Sequence, residues 1–371
     1  MKIAMFSFGF EIGGVERLFV NLANALQQQG HEVLYVVSHE RGPFRAELST
    51  AVRLVNLRSR VRSAFLPLRR IIQSEKPDLF LVGPDFPAVL AVFVHLSLPG
   101  STKLVLTQHN YFDVDMRKSM GFLGKLVPWA VPILWKRADK VVAVSQGIRS
   151  FLLGKGVPAS KLQCIYNPVD QAALVQKSTE LDSAHREVLT WIDGQPLIMF
   201  LGRLTKVKNL QYLLLSFARL REHSQAKLIL VGDGPLKAEL QAQASALGLS
   251  DSVLLAGEFR NPYPILAAAR MLVLSSFSEA LPTVVIEALC FGKPVVTTPT
   301  GAKEILLEGA LGHVLPDFTD VTCFSSAMQN FLDQEYSAES IAKCQERAAE
   351  FTMDKCLSQY LDLAKRLVAR S

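Results

Sequence analysis

Residues 277–306 read FSEALPTVVIEALCFGKPVVTTPTGAKEIL, and they decide the fold. The apolar run Met271–Leu274 just before them has the length and character of a buried parallel strand. A short loop then carries Glu279. Pro282 and Thr283 open a helix whose apolar face is Val284, Val285, Ala288 and Leu289, with Glu287 inside it. Gly292 stops that helix, and Pro294-Val295-Val296 begins the next strand. Strand, loop, helix, strand is the repeating unit of a parallel α/β sheet. It places two carboxylates at the carboxyl end of a strand, beside a helix start that presents free N–H groups. Backbone donors suit phosphate or sugar oxygens, and carboxylates accept from vicinal hydroxyls of ribose or a hexose. Either glutamate alone would read as a solvated side chain favouring the helix dipole.

Working outward, the first half repeats the same rhythm. Lys2–Phe8 is a strand ending in Gly9-Phe10-Glu11-Ile12-Gly13-Gly14, and Val15–Gln29 has helical apolar spacing up to Gly30. Such a turn is either a tight turn or a phosphate contact, and it lacks the Gly-x-Gly-x-x-Gly dinucleotide spacing. Strands follow at His31–Ser38, Arg53–Leu57, Asp78–Gly83, Lys103–Thr107, Lys140–Val144 and Leu162–Tyr166. Helices are expected at about 64–75, 87–98 and from Ser145. His109 stands at the carboxyl tip of a strand, as a structurally satisfied ring or a ligand contact. Arg53, Arg58, Arg60, Arg62, Arg69 and Arg70 form a cluster with no acidic residue among them, a solvated face or one turned to an anionic partner. Met116–Arg137 mixes Arg117, Lys118, Lys125, Lys136 and Arg137 with Trp129, Trp135 and aliphatic residues. That pattern fits core packing or an interfacial segment seated among headgroups. Pro128 and Pro132 break any long helix there.

In the second half, Gln171–Trp191 is polar and reads as an irregular linker. Pro196–Leu201 is a strand, and Gly202-Arg203-Leu204-Thr205-Lys206-Val207-Lys208-Asn209 leads to a helix from Leu210. Arg203 offers a planar fork and Lys208 a point charge, a natural pair for a diphosphate. Strands at Leu228–Val231 and Val253–Leu255 follow, the second continuing into the loop Glu258-Phe259-Arg260-Asn261. A short helix over 265–270 precedes Met271. The chain from Ser337 is helical, ending in an amphipathic piece over Lys355–Arg370.

The 371 residues suit two domains, and 49% hydrophobic with 20% charged residues describes a globular chain rather than a disordered one. Residues 1–175 carry 21 Lys/Arg against 12 Asp/Glu, and the remainder 19 against 22, so the basic half is the first. An anionic membrane or a phosphate-bearing acceptor is the expected partner, since no nucleic-acid motif is present. No apolar run approaches the roughly 20 residues of a spanning helix, and the start has no signal-peptide layout. The five scattered cysteines have no metal-ligand spacing and fit a reducing compartment.

Taken together, Glu279, Pro282, Glu287, Gly292-Lys293-Pro294-Val295 and Gly301-Ala302-Lys303-Glu304 resemble the donor-site signature of retaining nucleotide-sugar glycosyltransferases of glycosyltransferase family 4. Gly13-Gly14-Val15-Glu16-Arg17 is similar to that family's N-terminal loop, and Gly202-Arg203-Leu204 with Lys208-Asn209 to its diphosphate clamp. Two departures stand out. Ala280 replaces a glycine, which limits positive φ there, and Gly301-Ala302 replaces Gly-Gly.

The resemblance implies a GT-B fold, with two Rossmann-like doubly wound parallel-sheet domains facing an interdomain cleft. The expected division is an acceptor-side domain over 1–170, a linker over 171–195 and a nucleotide-sugar domain over 196–350. A helix over 351–371 would pack back on the first domain. The implied activity moves a hexosyl or N-acetylhexosaminyl group from a nucleotide-diphosphate sugar, UDP-sugar favoured, with retained configuration. The implied catalytic residues are His109, Arg203, Lys208 and Glu279, with no protein nucleophile, because the leaving phosphate takes the acceptor proton. The donor would meet Gly13, Gly14, Arg203, Lys208, Arg260, Leu281, Pro282, Thr283 and Glu287. Neither metal nor cofactor is expected. The acceptor would be a lipid-linked or lipopolysaccharide-type glycan at the cytoplasmic membrane face, met by Arg58, Arg60, Arg62, Arg117, Lys118 and Trp129. Three other readings stay open: a soluble acceptor, a nucleotide-sugar 2-epimerase of the same fold, and a non-catalytic relative.

Overall fold

The structure is a computed structural model that describes residues 1–11, 13–59, 63–83, 86–112, 127–309 and 311–369. Arg60, Arg62, Arg117 and Lys118 lie outside the described residues. Backbone contacts divide the chain into two units, Met1–Pro168 joined by the C-terminal stretch from Met353, and Val169–Thr352.

The first unit is built on seven strands: β1 (Lys2–Ser7), β2 (Glu32–Val37), β3 (Arg53–Asn56), β4 (Leu79–Val82), β5 (Lys103–Gln108), β6 (Lys140–Ala143) and β7 (Leu162–Cys164). All pair in parallel, in the order β3-β2-β1-β4-β5-β6-β7. Met5 faces Tyr35 on one neighbour and Leu81 on the other. The order reverses between β1 and β4, so the loops leaving those strands diverge and leave a crevice at their carboxyl ends. The central strands are apolar on both faces because helices cover both faces. On one side the helix Gly14–Gln28 packs beside the final helix Met353–Val368. Cys356, Leu357, Tyr360, Leu363 and Ala364 of that final helix enter the core of this unit. Fully burying a residue of Leu size contributes about 1.5–3 kcal/mol, so the helix is an integral part of the unit.

The second unit repeats the plan with β8 (Leu197–Leu201), β9 (Lys227–Val231), β10 (Val253–Gly257), β11 (Met271–Leu274), β12 (Val295–Thr297) and β13 (Gly312–Val314). Its parallel order is β10-β9-β8-β11-β12-β13, with the reversal between β8 and β11. The Phe277–Leu306 stretch folds as read, with a helix over Thr283–Cys290 and Gly292 in the left-handed region at φ 65°. Val284 is only half-buried, and Ile286 takes the core position beside Val285.

One expectation fails. Gln171–Trp191 is not irregular: it holds helices at Gln171–Lys177 and Ser183–Ile192. Each begins on an aspartate cap, Asp170 accepting from Ala173 N–H at 3.0 Å and Asp182 from His185 N–H at 3.0 Å. Both pack on elements of the second unit through a narrow apolar stripe of Leu174, Val188 and Ile192. The polar majority of those residues faces water, which is why composition alone conceals the helices.

Candidate functional site

A largely buried polar constellation lies at the carboxyl ends of β8 and β11, where the second sheet reverses its order. β8 ends at Leu201, and the chain turns through Gly202 into a loop that closes on Asn209. Asn209 is in the left-handed conformation at φ 51°, which asparagine tolerates better than most residues, and its amide donates to Phe318 O at 3.2 Å. Lys208 just before it is thereby aimed at the tip of β11, where its Nζ donates to Glu279 Oε1 at 2.5 Å. Both side chains are largely buried, 18% and 16% exposed. Ser276 Oγ donates to the same carboxylate oxygen at 2.7 Å. Two hydrogen bonds to backbone carbonyls lock the loops together: Phe277 N–H donates to Val207 O at 2.8 Å, and Ser275 Oγ to Lys208 O at 2.7 Å.

The loop after β12 completes the frame. Gly301 N–H donates to Glu279 O at 2.9 Å. A Cβ on Gly301 would stand 2.2 Å from Ala280 O and 2.6 Å from Glu279 O, so only glycine permits this approach. Thr298 Oγ1 donates to Ser276 O at 2.6 Å. Ala280 itself is not in the left-handed region, so losing a glycine there introduces no backbone strain.

The structure thus brings Lys208 and Glu279 into contact and leaves Arg203 exposed on the same loop as Lys208. Leu281 and Pro282 are buried at the entry of the Thr283–Cys290 helix, and Thr283 is half-buried at its first position. Glu287 is buried inside that helix at 9% exposure. Arg260 is exposed on the loop after β10, the edge strand, away from the β8/β11 reversal. That loop is anchored by His185, whose Nε2 lies 2.7 Å from Asn261 O, and by Asn261 Nδ2 donating to Lys177 O at 2.7 Å.

The remaining predicted residues belong to the first unit. Gly13 is the N-cap of the Gly14–Gln28 helix, in extended backbone at φ −171°. The Glu16 carboxylate lies against that helix start, 2.2 Å from where a Gly13 Cβ would be. His109 follows β5. Its Nε2 is 2.9 Å from Thr107 Oγ1, whose hydroxyl donates to Val82 O at 3.4 Å. Nδ1 on the other side of the ring is sheltered and without a partner among the described residues. Burial pushes the imidazole down to about 3, so the ring is neutral at physiological pH. Arg58 is exposed at φ 48°, and Trp129 is 77% exposed.

Sequence reasoning missed Ser275, Ser276 and Thr298, the hydroxyls that position Lys208 and Glu279. The available signal was three small polar residues at the ends of apolar strands, where a hydroxyl must find a partner on burial.

Comparison with known proteins joins this geometry to a family. Residues 12–173 match the family described as Glycosyltransferase Family 4, and residues 182–351 match Glycosyl transferases group 1. The chain carries two glycosyltransferase domains. Their fold is GT-B, α/β with two Rossmann-like parallel sheets. Anabaena HepE, solved in complex with UDP-glucose, aligns over 99% of this chain and 100% of its own with a TM-score of 0.82 at 19% identity. Among curated proteins, an uncharacterised glycosyltransferase of Methanocaldococcus jannaschii is 32% identical over 248 residues. That match covers 64% of this chain and 60% of the relative's length. A Campylobacter jejuni alpha-1,4-N-acetyl-D-galactosaminyltransferase, named for a diNAcBac-PP-undecaprenol glycan, is 26% identical over 98% of both chains.

Among the described residues of these glycosyltransferase domains, no group of three or more His, Cys, Asp or Glu side chains is placed to hold a metal ion. No described helix is long and apolar enough to cross a membrane. All five cysteines are free thiols, and burial pushes Cys290 and Cys356 up to about 12.

Proposed function

We propose that this chain is a retaining glycosyltransferase that moves a hexosyl or N-acetylhexosaminyl group from a nucleotide-diphosphate sugar to a glycan acceptor. The observation that carries the reading is the Lys208–Glu279 contact at the β8/β11 reversal, with Arg203 on the same loop. A cation and a carboxylate held together at a strand tip can serve the two ends of one sugar phosphate. Lys208 and Arg203 stabilise the negative charge that grows on the leaving diphosphate, and Glu279 accepts from the donor-sugar hydroxyls. Glu287 holds the ribose hydroxyls, the start of its helix offers the backbone N–H groups of Leu281 and Thr283 with Pro282 shaping the turn between them, and Arg260 faces the base.

In the reaction the bond from the anomeric carbon to the phosphate oxygen breaks through an oxocarbenium-like state. The acceptor oxygen bonds to the same face of that carbon, and its proton passes to the leaving phosphate. No protein nucleophile or metal is assigned. The roles of the first unit's residues rest on their own chemistry, the helix start at Gly13 and Gly14 and the neutral imidazole of His109.

A UDP-sugar is favoured as donor, in line with the ligand of the HepE structure. The acceptor is of the lipid-linked or lipopolysaccharide type, in line with the Campylobacter relative and the basic first half. It is met at the cytoplasmic membrane face, where the protein is peripheral. The test incubates purified protein with a panel of nucleotide sugars, with and without lipid-linked glycan, and follows nucleoside diphosphate release. Release that needs the acceptor and persists in EDTA supports the reading. Release of free sugar and nucleotide without acceptor would point to a 2-epimerase, and no release with any donor would defeat the enzyme reading.

A further inference from the structure

Three helices of the first unit, Phe65–Glu75, Phe86–Leu96 and Val127–Trp135, pack side by side. Their inward positions are buried, including Leu68, Ile72, Ala91, Val92, Val131 and Trp135. Their outward positions set large apolar side chains among polar ones such as Arg70, Gln73 and Ser74, where a solvated helix layer would be polar throughout. Leu66 is 58% exposed, Phe93 50%, Leu96 55%, Trp129 77% and Ile133 57%. These five are all the large apolar side chains that the described part of this unit exposes, and every one lies on these three neighbouring helices. Scattered exposed leucines are ordinary; five such residues gathered on one layer mark an interaction surface.

The charge around the layer identifies the partner. Phe86–Leu96 carries no Asp, Glu, Lys or Arg. The other two helices and the turn after Trp135 contribute Arg69, Arg70, Lys136 and Arg137, of which Arg70, Lys136 and Arg137 are exposed. The one carboxylate on the three helices, Glu75, is held by Lys2 at 2.7 Å and Arg53 at 2.8 Å. Asp139, opposite His95 at 3.8 Å, accepts from Leu104 N–H at 2.8 Å. Among the described residues the face therefore presents aromatic and aliphatic groups with basic groups and no uncommitted carboxylate. Apolar side chains reach the acyl boundary, Trp rests at headgroup level, and Arg and Lys pair with phosphates.

We propose that the outer face of this three-helix layer docks the protein on an anionic lipid bilayer. The proposal deepens the membrane-face part of the function above and locates it on Leu66, Phe93, Leu96, Trp129 and Ile133, with Arg70, Lys136 and Arg137 beside them. Docking itself requires neither donor nor acceptor, so it is measured apart from transfer.

The test adds the full chain to sedimenting vesicles of phosphatidylcholine alone, or of phosphatidylcholine with phosphatidylglycerol, without nucleotide sugar. The protein is expected to sediment with the second kind, with its tryptophan emission shifted to the blue and quenched by brominated acyl chains through Trp129, the most exposed of its three tryptophans. Phe93→Ser with Trp129→Ser is expected to weaken binding by about tenfold or more. Arg70→Glu with Arg137→Glu is expected to weaken it by about tenfold at low salt and to flatten its salt dependence. Phe93→Leu with Trp129→Phe keeps the apolar character and is expected to retain binding, which separates loss of docking from loss of fold. Equal binding to both vesicle types, or unchanged binding by the two serine substitutions, overturns the proposal. Self-association abolished by those same serines would show a second copy on the face and overturn it too. If vesicle binding fails while acceptor-dependent release succeeds with a detergent-dispersed acceptor, the surface is wrong and the transferase reading stands.

Discussion

Gly301 shows how much one missing Cβ can set. Its hydrogen takes the place where a methyl group would meet two carbonyl oxygens of the Glu279 loop at 2.2 and 2.6 Å. Gly301→Ala is therefore expected to push Glu279 off Lys208, to cost about 1–3 kcal/mol of stability and to lower donor affinity. Denaturant unfolding and donor titration of the variant check both. His109 makes a different claim. Its ring titrates near 3 when folded and near its ordinary value when unfolded, so between those pH values the unfolded chain binds more protons. Stability from this group accordingly rises with pH across that window, by up to about 1.4 kcal/mol per pH unit, and is level above it. His109→Gln should lose that slope relative to the parent in unfolding measured from pH 4 to pH 7. An unchanged slope would show that the ring is not sheltered.

At the scale of elements, strand-to-helix loops carry the chemistry and the sheet only aims them. Lys208 and Glu279 lie on different loops, so their contact reports whether β8 and β11 are in register. Lys208→Met and Glu279→Gln should each destabilise by about 1–3 kcal/mol, because each leaves a largely buried charge without its counterpart. The double substitution should cost less than the two together. Thermal or denaturant unfolding of the four proteins closes that cycle, and strict additivity would mean the pair is not coupled.

The same scale explains what the sequence made legible. Long apolar runs such as Met271–Leu274 and the periodic Leu210 helix announce themselves, because burial on both faces or on one broad stripe leaves a pattern. Glycine and proline fixed the ends of the Thr283–Cys290 helix. The helices at Gln171–Lys177 and Ser183–Ile192 stayed hidden because their apolar stripe is narrow and their caps are single aspartates. Lys208 and Glu279 were chosen through motif resemblance; that they touch, and that Ser276 holds the same oxygen, depends on loop backbone that no residue pattern specifies. Trp129 stands out in the sequence beside its basic neighbours, whereas nothing in the uncharged run of the Phe86–Leu96 helix marks Phe93 and Leu96 as exposed.

On the scale of the whole molecule, the chain builds two sheets from one rhythm and then returns its last helix to the first unit. Leu363, 1% exposed, is one of five residues of that helix in a core otherwise made from residues before Pro168. Leu363→Ala should cost about 2–5 kcal/mol in the first unit. Hydrogen exchange should show lowered protection in β1 and β2 with little change in β8 and β11. A loss confined to the second unit would contradict the assignment.

The central claim is that Arg203 and Lys208 grip a nucleoside diphosphate. Calorimetric titration with UDP and UMP, on the parent protein and on Arg203→Met and Lys208→Met, tests it most directly. The account predicts that each substitution weakens UDP by about tenfold or more while UMP changes far less. UDP affinity left intact in both variants would contradict it.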